Sequence, residues 1–255
     1  MKITQIRNAT LIVEYAGKRF LVDPMLAEKG AYPGFEGTAN SHKTNPLVDL
    51  PVPVNELLRV DAVIVTHTHP DHWDEAAKQM LPKDMLIFTQ NEKDAADIQT
   101  AGFNNTRILT EDTAFEGITL IKTPGQHGSD EAYTVIGELL GSVCGIVFKH
   151  HDEKTLYIAG DTIWNRYVEE NLRKYAPDVV VVNSGDAQVI GVGSIIMSKA
   201  DVLKVHQAVP GATILASHME AVNHCVLSRT ELRDFAREKN MDRLLVPEDG
   251  ESCSF

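Results

Sequence analysis

Residues 66–72 read Thr-His-Thr-His-Pro-Asp-His, directly after the apolar, β-branched run DAVIVT at 61–66. Such a run is typical of a buried strand. The histidines and the aspartate cannot all lie in a core without partners, because each unpaired buried polar group costs several kcal/mol. A metal ion would supply those partners. Imidazole nitrogen and carboxylate oxygen suit zinc, iron or manganese, and no cysteine stands nearby to hold an iron–sulfur cluster.

The spacing within this stretch predicts how its side chains point. His67 and His69 are two positions apart at the end of an extended strand, so both can point to the same side. Asp71 and His72 follow where the chain turns, and they can face a second ion beside the first. The stretch therefore predicts a metal site with room for two ions.

Three further polar residues each follow a short apolar strand: His127 in TPGQHG, Asp161 in AGDT and His218 in ASHME. Metal ligands and catalytic residues are usually mounted on such loops at the edge of a layered sheet. Taken alone, Asp161 could be a turn residue and His127 a surface residue. In combination with residues 66–72, all three are interpreted as ligands.

Five motifs in this order resemble the metallo-β-lactamase superfamily of binuclear metal hydrolases: LVDP at 21–24, HTHPDH at 67–72, TPGQH at 123–127, GDT at 160–162 and SH at 217–218. The resemblance implies an α/β fold, an αββα four-layer sandwich of two mixed β-sheets flanked by helices, with the site at one edge. It implies two divalent metal ions with shared ligands: His67, His69 and His127 on one ion, Asp71, His72 and His218 on the other, and Asp161 bridging both. Asp23 matches an aspartate that supports the ligands.

Within the superfamily, three stretches resemble the branch around L-ascorbate-6-phosphate lactonase: residues 6–24, His-Trp-Asp at 72–74 and ASHMEAVNHC at 216–225. This resemblance implies a hydrolase in which a hydroxide bridging the two ions attacks a small anionic lactone, ester or phosphoester. Asp71 and Asp161 would then be catalytic as well as ligating, with Asp71 as a proton shuttle.

Hydrophobic patterning predicts one layered α/β domain over residues 1–255. Strands are expected at 2–6, 10–15, 19–23, 61–66, 85–89, 107–109, 118–123, 143–149, 155–159, 178–182, 212–216 and 243–246. Helices are expected at 74–80, 92–101, 165–175, 199–208 and 229–239. Residues 24–53 are rich in proline and glycine and show no period. They are interpreted as a long loop, either a lid or binding loop or a surface insertion without a role.

Several residues beside the ligand motifs are candidates for substrate binding: Asn183, Asp186, Glu220 and Trp164. His224 is a candidate for contacting substrate or acting as an acid. Each has an ordinary alternative, since residues 183–186 could form a plain turn, Trp164 could be a core aromatic, and His224 could be a hydrogen-bonded loop histidine. The remaining histidines are interpreted as surface or structural residues: His42, His150, His151 and His206.

Composition and charge exclude several classes of protein. The chain is 43% hydrophobic and 24% charged, which is typical of a globular protein and not of a disordered one. A net charge of −12 repels phosphate backbones and anionic lipids, so neither nucleic acid nor membrane is an expected partner. Three widely spaced cysteines and the lack of an apolar leader predict a cytoplasmic protein. The oligomeric state stays open, and a homo-oligomer is allowed.

The sequence favours a hydrolase and leaves two alternatives open. One is a phosphodiesterase or nuclease of the same fold, although the negative charge disfavours long nucleic acids. The other is a metal-binding regulatory protein without turnover. The presence of all seven expected ligands disfavours this second alternative, since a degenerate site would be expected to lose some of them.

Overall fold

The computed structural model describes all residues from Met1 to Phe255. Its first sheet has seven strands: β1 (Lys2–Arg7), β2 (Thr10–Tyr15), β3 (Lys18–Val22), β4 (Ala62–Val65), β5 (Ile87–Thr89), β6 (Thr106–Ile108) and β16 (Ser252–Ser254). The order across the sheet is β16-β1-β2-β3-β4-β5-β6. Strands β3 to β6 pair in parallel, and the remaining pairs are antiparallel. The first sheet is therefore mixed.

The second sheet also has seven strands: β7 (Thr113–Phe115), β8 (Ile118–Pro124), β9 (Cys144–Lys149), β10 (Leu156–Ile158), β11 (Val179–Asn183), β14 (Thr213–Ser217) and β15 (Leu244–Leu245). Their order is β15-β14-β11-β10-β9-β8-β7. The strands from β15 to β10 pair in parallel and the others are antiparallel. A separate small hairpin joins β12 (Gln188–Val189) to β13 (Gly193–Ser194).

Seven helices surround the sheets: α1 (Val54–Leu57), α2 (Glu75–Met80), α3 (Glu92–Thr100), α4 (Asp130–Leu140), α5 (Arg166–Tyr175), α6 (Lys199–Ala208) and α7 (Arg229–Glu238). Polar side chains cap most of their first turns. Asn91 and Asn165 each accept hydrogen bonds from backbone N–H groups that the helix itself leaves unpaired. Ser198 and Ser228 form capping boxes with an acidic residue three positions later. None of the helices combines the length and apolarity needed to cross a bilayer.

Apolar side chains hold the sheets and helices in four layers. A cluster of 20 buried residues lies between the sheets, with Phe20 and Phe88 from the first and Phe148 from the second. A second cluster packs α5, α6 and α7 onto the outer face of the second sheet, and a third packs α2 and α3 onto the first. The predicted αββα sandwich of two mixed sheets is confirmed.

Most of the expected elements are present, with ends that differ by one or two residues. The structure adds α1, α4, β7, the β12–β13 hairpin and β16, which the sequence analysis did not predict. Helix α4 lacks a strong helical signal, because Thr134, Val135 and Ile136 are β-branched and Gly137 follows them. Its backbone departs from helical geometry at Ile136, with φ −132° and ψ 24°. The other missed elements have only two to four residues, too few for a periodic pattern.

Candidate metal centre

The parallel strands bring the predicted ligands to one edge of the two sheets. Strand β4 leads into residues 66–72 on the first sheet, while β10 leads to Asp161 and β14 to His218 on the second. Strand β8, which runs antiparallel to β9 and therefore parallel to β10, leads to His127. Carboxyl ends of parallel strands meet at the same edge, where ligands of α/β sheets are commonly bound. Side chains far apart in sequence are thereby gathered at one place.

One carboxylate oxygen lies at the centre of the cluster. Asp161 Oδ2 is 3.1 Å from His72 Nε2, 3.7 Å from His127 Nε2, 3.7 Å from His218 Nε2 and 3.9 Å from His67 Nε2. It therefore approaches nitrogen atoms from both predicted ligand sets. This is the position that a bridging carboxylate would need.

Each predicted ligand set is also compact. The donor atoms of His67, His69 and His127 lie within 4.8 Å of one another, as do those of Asp71, His72 and His218. The structure thus brings together all seven residues that the motifs indicated. That they bind metal remains a prediction.

The outer ring nitrogens of the histidines have fixed partners, which leaves the inner nitrogens directed at the cluster. His69 Nε2 donates to the Leu139 carbonyl at 2.9 Å, and His127 Nδ1 donates to the Ile195 carbonyl at 2.8 Å. A carbonyl accepts only, so in the neutral ring the inner nitrogen is a bare lone pair. His69 Nδ1 nevertheless lies 3.0 Å from His67 Nε2. Two ring nitrogens at this distance, each with its lone pair directed at the cluster, are suited to bind a cation together.

Asp23 acts on the cluster through His72. Its Oδ2 lies 2.9 Å from His72 Nδ1, which fixes the ring with Nε2 directed inward. The same carboxylate accepts hydrogen bonds from the backbone N–H of Thr66 at 2.7 Å and from its hydroxyl at 2.8 Å. Asp23 therefore ties the start of the histidine stretch to the ring that it orients. This position is the one that the resemblance implied for Asp23, which supports the predicted ligands.

Burial and neighbouring charges shift the histidine pKa values in opposite directions. Burial lowers the pKa of His67 well below 6.5, and the positive charge of the His72 ring lowers it further. Burial also acts to lower the pKa of His72, but the carboxylates of Asp161 and Asp23 outweigh it and raise the pKa to about 10. Without metal, His72 therefore holds a proton that a cation would have to displace. The donor set fits divalent cations bound by neutral imidazoles and carboxylates.

Asp161 stays ionised in this buried place. Burial alone would raise its pKa, but the charges of His72 and His218 lower it well below 3.8. Asp161 Oδ1 accepts a hydrogen bond from Asn183 Nδ2 at 2.7 Å, which leaves Oδ2 directed at the histidines. Asn183, expected to contact substrate, is buried and orients the central carboxylate.

A cavity of about 490 Å³ opens onto the cluster. Asp71, Asp161, His69 and His127 form its floor, and His224 lines it beside them. Its walls are largely apolar and come from α4, from the β12–β13 hairpin and from residues 35–38 of the long loop, where Glu36 is the one charged residue. No lysine or arginine lines it. The expectation that the 24–53 loop contributes to binding therefore has a structural basis.

Three further expected substrate residues do not line the cavity. The Glu220 carboxylate pairs with the Arg229 guanidinium at 2.7 Å and also accepts the Arg229 backbone N–H at 3.0 Å. Trp164 packs against the apolar cluster beneath α5, α6 and α7. Asp186 lies in the turn before β12, where it accepts a hydrogen bond from Gln188 Nε2 at 2.7 Å, and it is not among the lining residues. Of the five residues named beside the ligand motifs, only His224 lines the cavity.

Sequence reasoning missed several residues that build the site. Asn8 donates from Nδ2 to the backbone carbonyl of Asp71 at 2.9 Å, and Phe35 lies edge-on to the His224 ring at 5.0 Å. Asn223 binds the segment that carries Phe35. Its position one residue before His224 is the only signal that could have indicated it. Helix α4, which supplies Leu139 and one cavity wall, was also missed.

The beta-lactamase superfamily domain matches residues 18–219 of this chain, which include Asp23 and all seven predicted ligands. The chain belongs to this superfamily. It is 52% identical over 257 residues to the UPF0173 protein YddR of Bacillus subtilis (strain 168), covering 100% of both chains. A UPF0173 metal-dependent hydrolase of Caldivirga maquilingensis is 29% identical over 181 residues, covering 70% of this chain and 67% of the other. The chain is thus a metal-dependent hydrolase with the metallo-β-lactamase fold.

Two solved structures are similar to this chain over its whole length. An isothiocyanate hydrolase from Delia radicum gut bacteria is 57% identical, with a TM-score of 0.98 and coverage of 100% of this chain and 99% of the other. A possible metal-dependent hydrolase from Veillonella parvula DSM 2008 is 44% identical, with the same TM-score of 0.98 and the same coverage of 100% and 99%. The predicted superfamily and fold are therefore confirmed, while the lactonase branch within the superfamily stays a prediction.

We expect the purified protein to contain about two divalent ions per chain, because the seven ligands form two sets joined by Asp161. His67→Ala and Asp161→Asn should lose metal and hydrolysis, with the larger metal loss in Asp161→Asn. Elemental analysis of the folded variants measures this. His150→Ala, in the exposed turn after β9, is the matched control. Equal metal loss in that control would contradict the ligand assignment.

Asn183→Ala should weaken metal binding by roughly 10- to 100-fold, the usual effect of removing a residue that orients a ligand. The reason is that Asp161 loses the hydrogen bond that directs its Oδ2 inward. Competition with a chelator measures the affinity. Asn171→Ala removes a buried amide that binds Tyr157 Oη and the Pro124 carbonyl away from the cluster. An equal loss of affinity in both variants would show that Asn183 acts only through stability.

Proposed function

We propose that this protein hydrolyses small, uncharged electrophiles that carry an apolar substituent, with isothiocyanates as the substrate class, and that it uses two metal ions. The observation that carries the proposal is the cavity, which joins apolar walls to a floor of histidine and aspartate side chains. Val135, Leu139 and Ile190 at its walls are 71%, 74% and 72% exposed. Large apolar side chains left open in this way are typical of a binding site for an apolar ligand.

The similarity to a hydrolase of known substrate supports the same class. The isothiocyanate hydrolase from Delia radicum gut bacteria shares 57% identity and the complete fold with this chain. An isothiocyanate is neutral, has an electrophilic central carbon and carries an organic substituent on nitrogen. These properties match the polar floor and apolar walls of the cavity.

Two divalent ions, when bound, would lower the pKa of water and polarise the electrophile. Asp71 then accepts a proton from the attacking water and passes it to the substrate nitrogen. The water oxygen bonds to the central carbon, both water protons end on nitrogen, and the carbon–nitrogen bond breaks. The products are an amine and carbonyl sulfide, which balance one isothiocyanate and one water.

His224 is placed to assist this reaction as a hydrogen-bond donor. Burial lowers its pKa to about 4, so the ring is neutral near pH 7 and carries one N–H. Its Nδ1 is buried without a partner, and the edge-on contact with Phe35 holds the ring at the cavity. A donor at this position stabilises the negative charge that grows on the substrate during attack.

The cavity gives less support to the anionic substrates expected from the sequence. A phosphorylated lactone, as acted on in the lactonase branch, would need cationic side chains to bind its phosphate in addition to the metal ions, yet no lysine or arginine lines the walls. The acidic side chain of Glu36 also lines the cavity and would repel a phosphodiester. A non-catalytic regulator would not need an open, apolar chamber above its metal ligands.

The proposal predicts that benzyl isothiocyanate is hydrolysed with release of benzylamine, and that a chelator abolishes this activity. Amine release and the loss of isothiocyanate absorbance measure the reaction. Bis(p-nitrophenyl) phosphate and a phosphorylated lactone serve as matched assays for the alternatives. Faster turnover of either anionic substrate would overturn the proposed class. No turnover of any substrate by protein with two ions bound would favour the regulatory alternative.

His224→Ala should lower kcat for benzyl isothiocyanate by about 10²-fold while two ions stay bound, since one hydrogen-bond donor at the reacting atoms is lost. Steady-state kinetics and elemental analysis on the same preparation test this. Loss of metal in the variant would make His224 a ligand. Unchanged kinetics would leave it a structural residue.

A further inference from the structure

Asn223 uses the whole hydrogen-bonding capacity of its buried side chain on one segment of the long loop. Its Oδ1 accepts the Phe35 backbone N–H at 3.0 Å and Asn45 Nδ2 at 2.8 Å. Its Nδ2 donates to Thr38 Oγ1 at 2.8 Å and to the Ala39 carbonyl at 2.7 Å. An amide side chain can accept two hydrogen bonds and donate two, so none of its capacity is left over.

The backbone of Asn223 binds the same segment. Its N–H donates to Asn45 Oδ1 at 2.8 Å, and its carbonyl accepts from Asn40 Nδ2 at 3.2 Å. All six hydrogen bonds therefore go to residues 35–45, and none goes to a predicted metal ligand. Asn223 is 1% exposed, so water cannot replace these bonds without opening the loop.

The segment that Asn223 holds continues into the cavity wall. The Ala39 backbone N–H donates to the Gln188 carbonyl at 3.0 Å, and the Ile190 N–H donates to the Gly37 carbonyl at 2.9 Å. The Gln188 N–H in turn donates to the His224 carbonyl at 2.9 Å. Backbone hydrogen bonds thus link the long loop to the β12–β13 hairpin, and the hairpin to His224. We call residues 35–39 together with 188–190 the side wall.

We propose that Asn223 determines which substrates the enzyme selects. It does so by fixing the position of the side wall, and this position sets the size of the apolar substituent that the cavity can contact. This inference rests on the proposed function, because it concerns the substituent of the same substrate. Phe35, Thr38, Val189 and Ile190 of the side wall line the cavity. Without the Asn223 side chain, residues 35–45 lose four hydrogen bonds and the side wall loses its fixed spacing. The metal ligands are held by other contacts and keep their places.

Selection by the side wall acts on one part of the substrate only. The reacting carbon lies at the floor, where the smallest isothiocyanate needs no wall contact. A larger substituent gains its binding from apolar contact with the wall, and that gain disappears when the wall can move. The ratio of kcat/KM between a large and a small substrate therefore reports on Asn223 separately from the chemistry.

The experiment compares 2-phenylethyl isothiocyanate with methyl isothiocyanate in the wild type, Asn223→Ala and Asn45→Ala. We expect the ratio of kcat/KM to fall roughly tenfold in both variants, mainly through KM for the larger substrate, with metal content unchanged. Hydrogen exchange of residues 35–45 should become faster. Asn45→Ala removes the hydrogen bonds between Asn45 and Asn223 from the loop side. It provides the test if Asn223→Ala does not fold. Asn171→Ala, which removes a buried amide elsewhere, should leave the ratio unchanged.

An unchanged ratio in a variant whose residues 35–45 exchange faster would overturn the inference, and so would loss of metal. The uncharged fluorescent probe N-phenyl-1-naphthylamine separates this inference from the proposed function. If the wild type hydrolyses neither isothiocyanate, the proposed function fails. In that case, roughly tenfold weaker probe binding by Asn223→Ala still supports the inference that Asn223 fixes the side wall. Equal probe binding by the variant and the wild type overturns this inference.

Discussion

The site depends on one electrostatic constraint: a buried carboxylate oxygen surrounded by imidazole nitrogens. Asp161 Oδ2 lies between 3.1 and 3.9 Å from nitrogens of four histidines, all of them buried. Without cations, the carboxylates of Asp161 and Asp23 outweigh burial and raise the pKa of His72 to about 10, while burial lowers the pKa of His67. Bound cations would satisfy these nitrogens and the carboxylate oxygens together. The surrounding contacts through Asp23 and Asn183 all serve to keep these atoms converging.

Much of this arrangement could be predicted from the sequence, because the ligands stand in short motifs after strands. A buried strand such as β4 has a local signal in its β-branched run, and the polar residues that follow it must lie at the sheet edge. The two sheets and their helical covers follow from the same alternation of elements. The choice between ligand and turn residue at Asp161 required the other motifs, since one aspartate after a glycine has no distinctive pattern.

The roles of residues next to the ligands could not be predicted, because they depend on contacts between distant parts of the chain. Asn183 is the last residue of one strand of the second sheet, and Glu220 follows another. One orients Asp161 from 22 positions away, and the other pairs with Arg229. From sequence position alone, both residues were expected to bind substrate. Helix α4 was missed for a different reason, since its β-branched residues and Gly137 weaken the helical pattern, and its place is set by packing over the cavity.

Metal binding and substrate selection are therefore encoded differently in this chain. The predicted ligands follow the ends of strands that the core holds rigidly, so their geometry is determined by the sheets. The cavity walls come from α4, the β12–β13 hairpin and the long loop, which pack outside the two-sheet core. Hydrogen bonds such as those of Asn223 give these segments the fixed positions that their own sequences do not specify. Walls held in this way can change with few substitutions while the metal ligands stay in place, which is how one metal centre can serve different substrates.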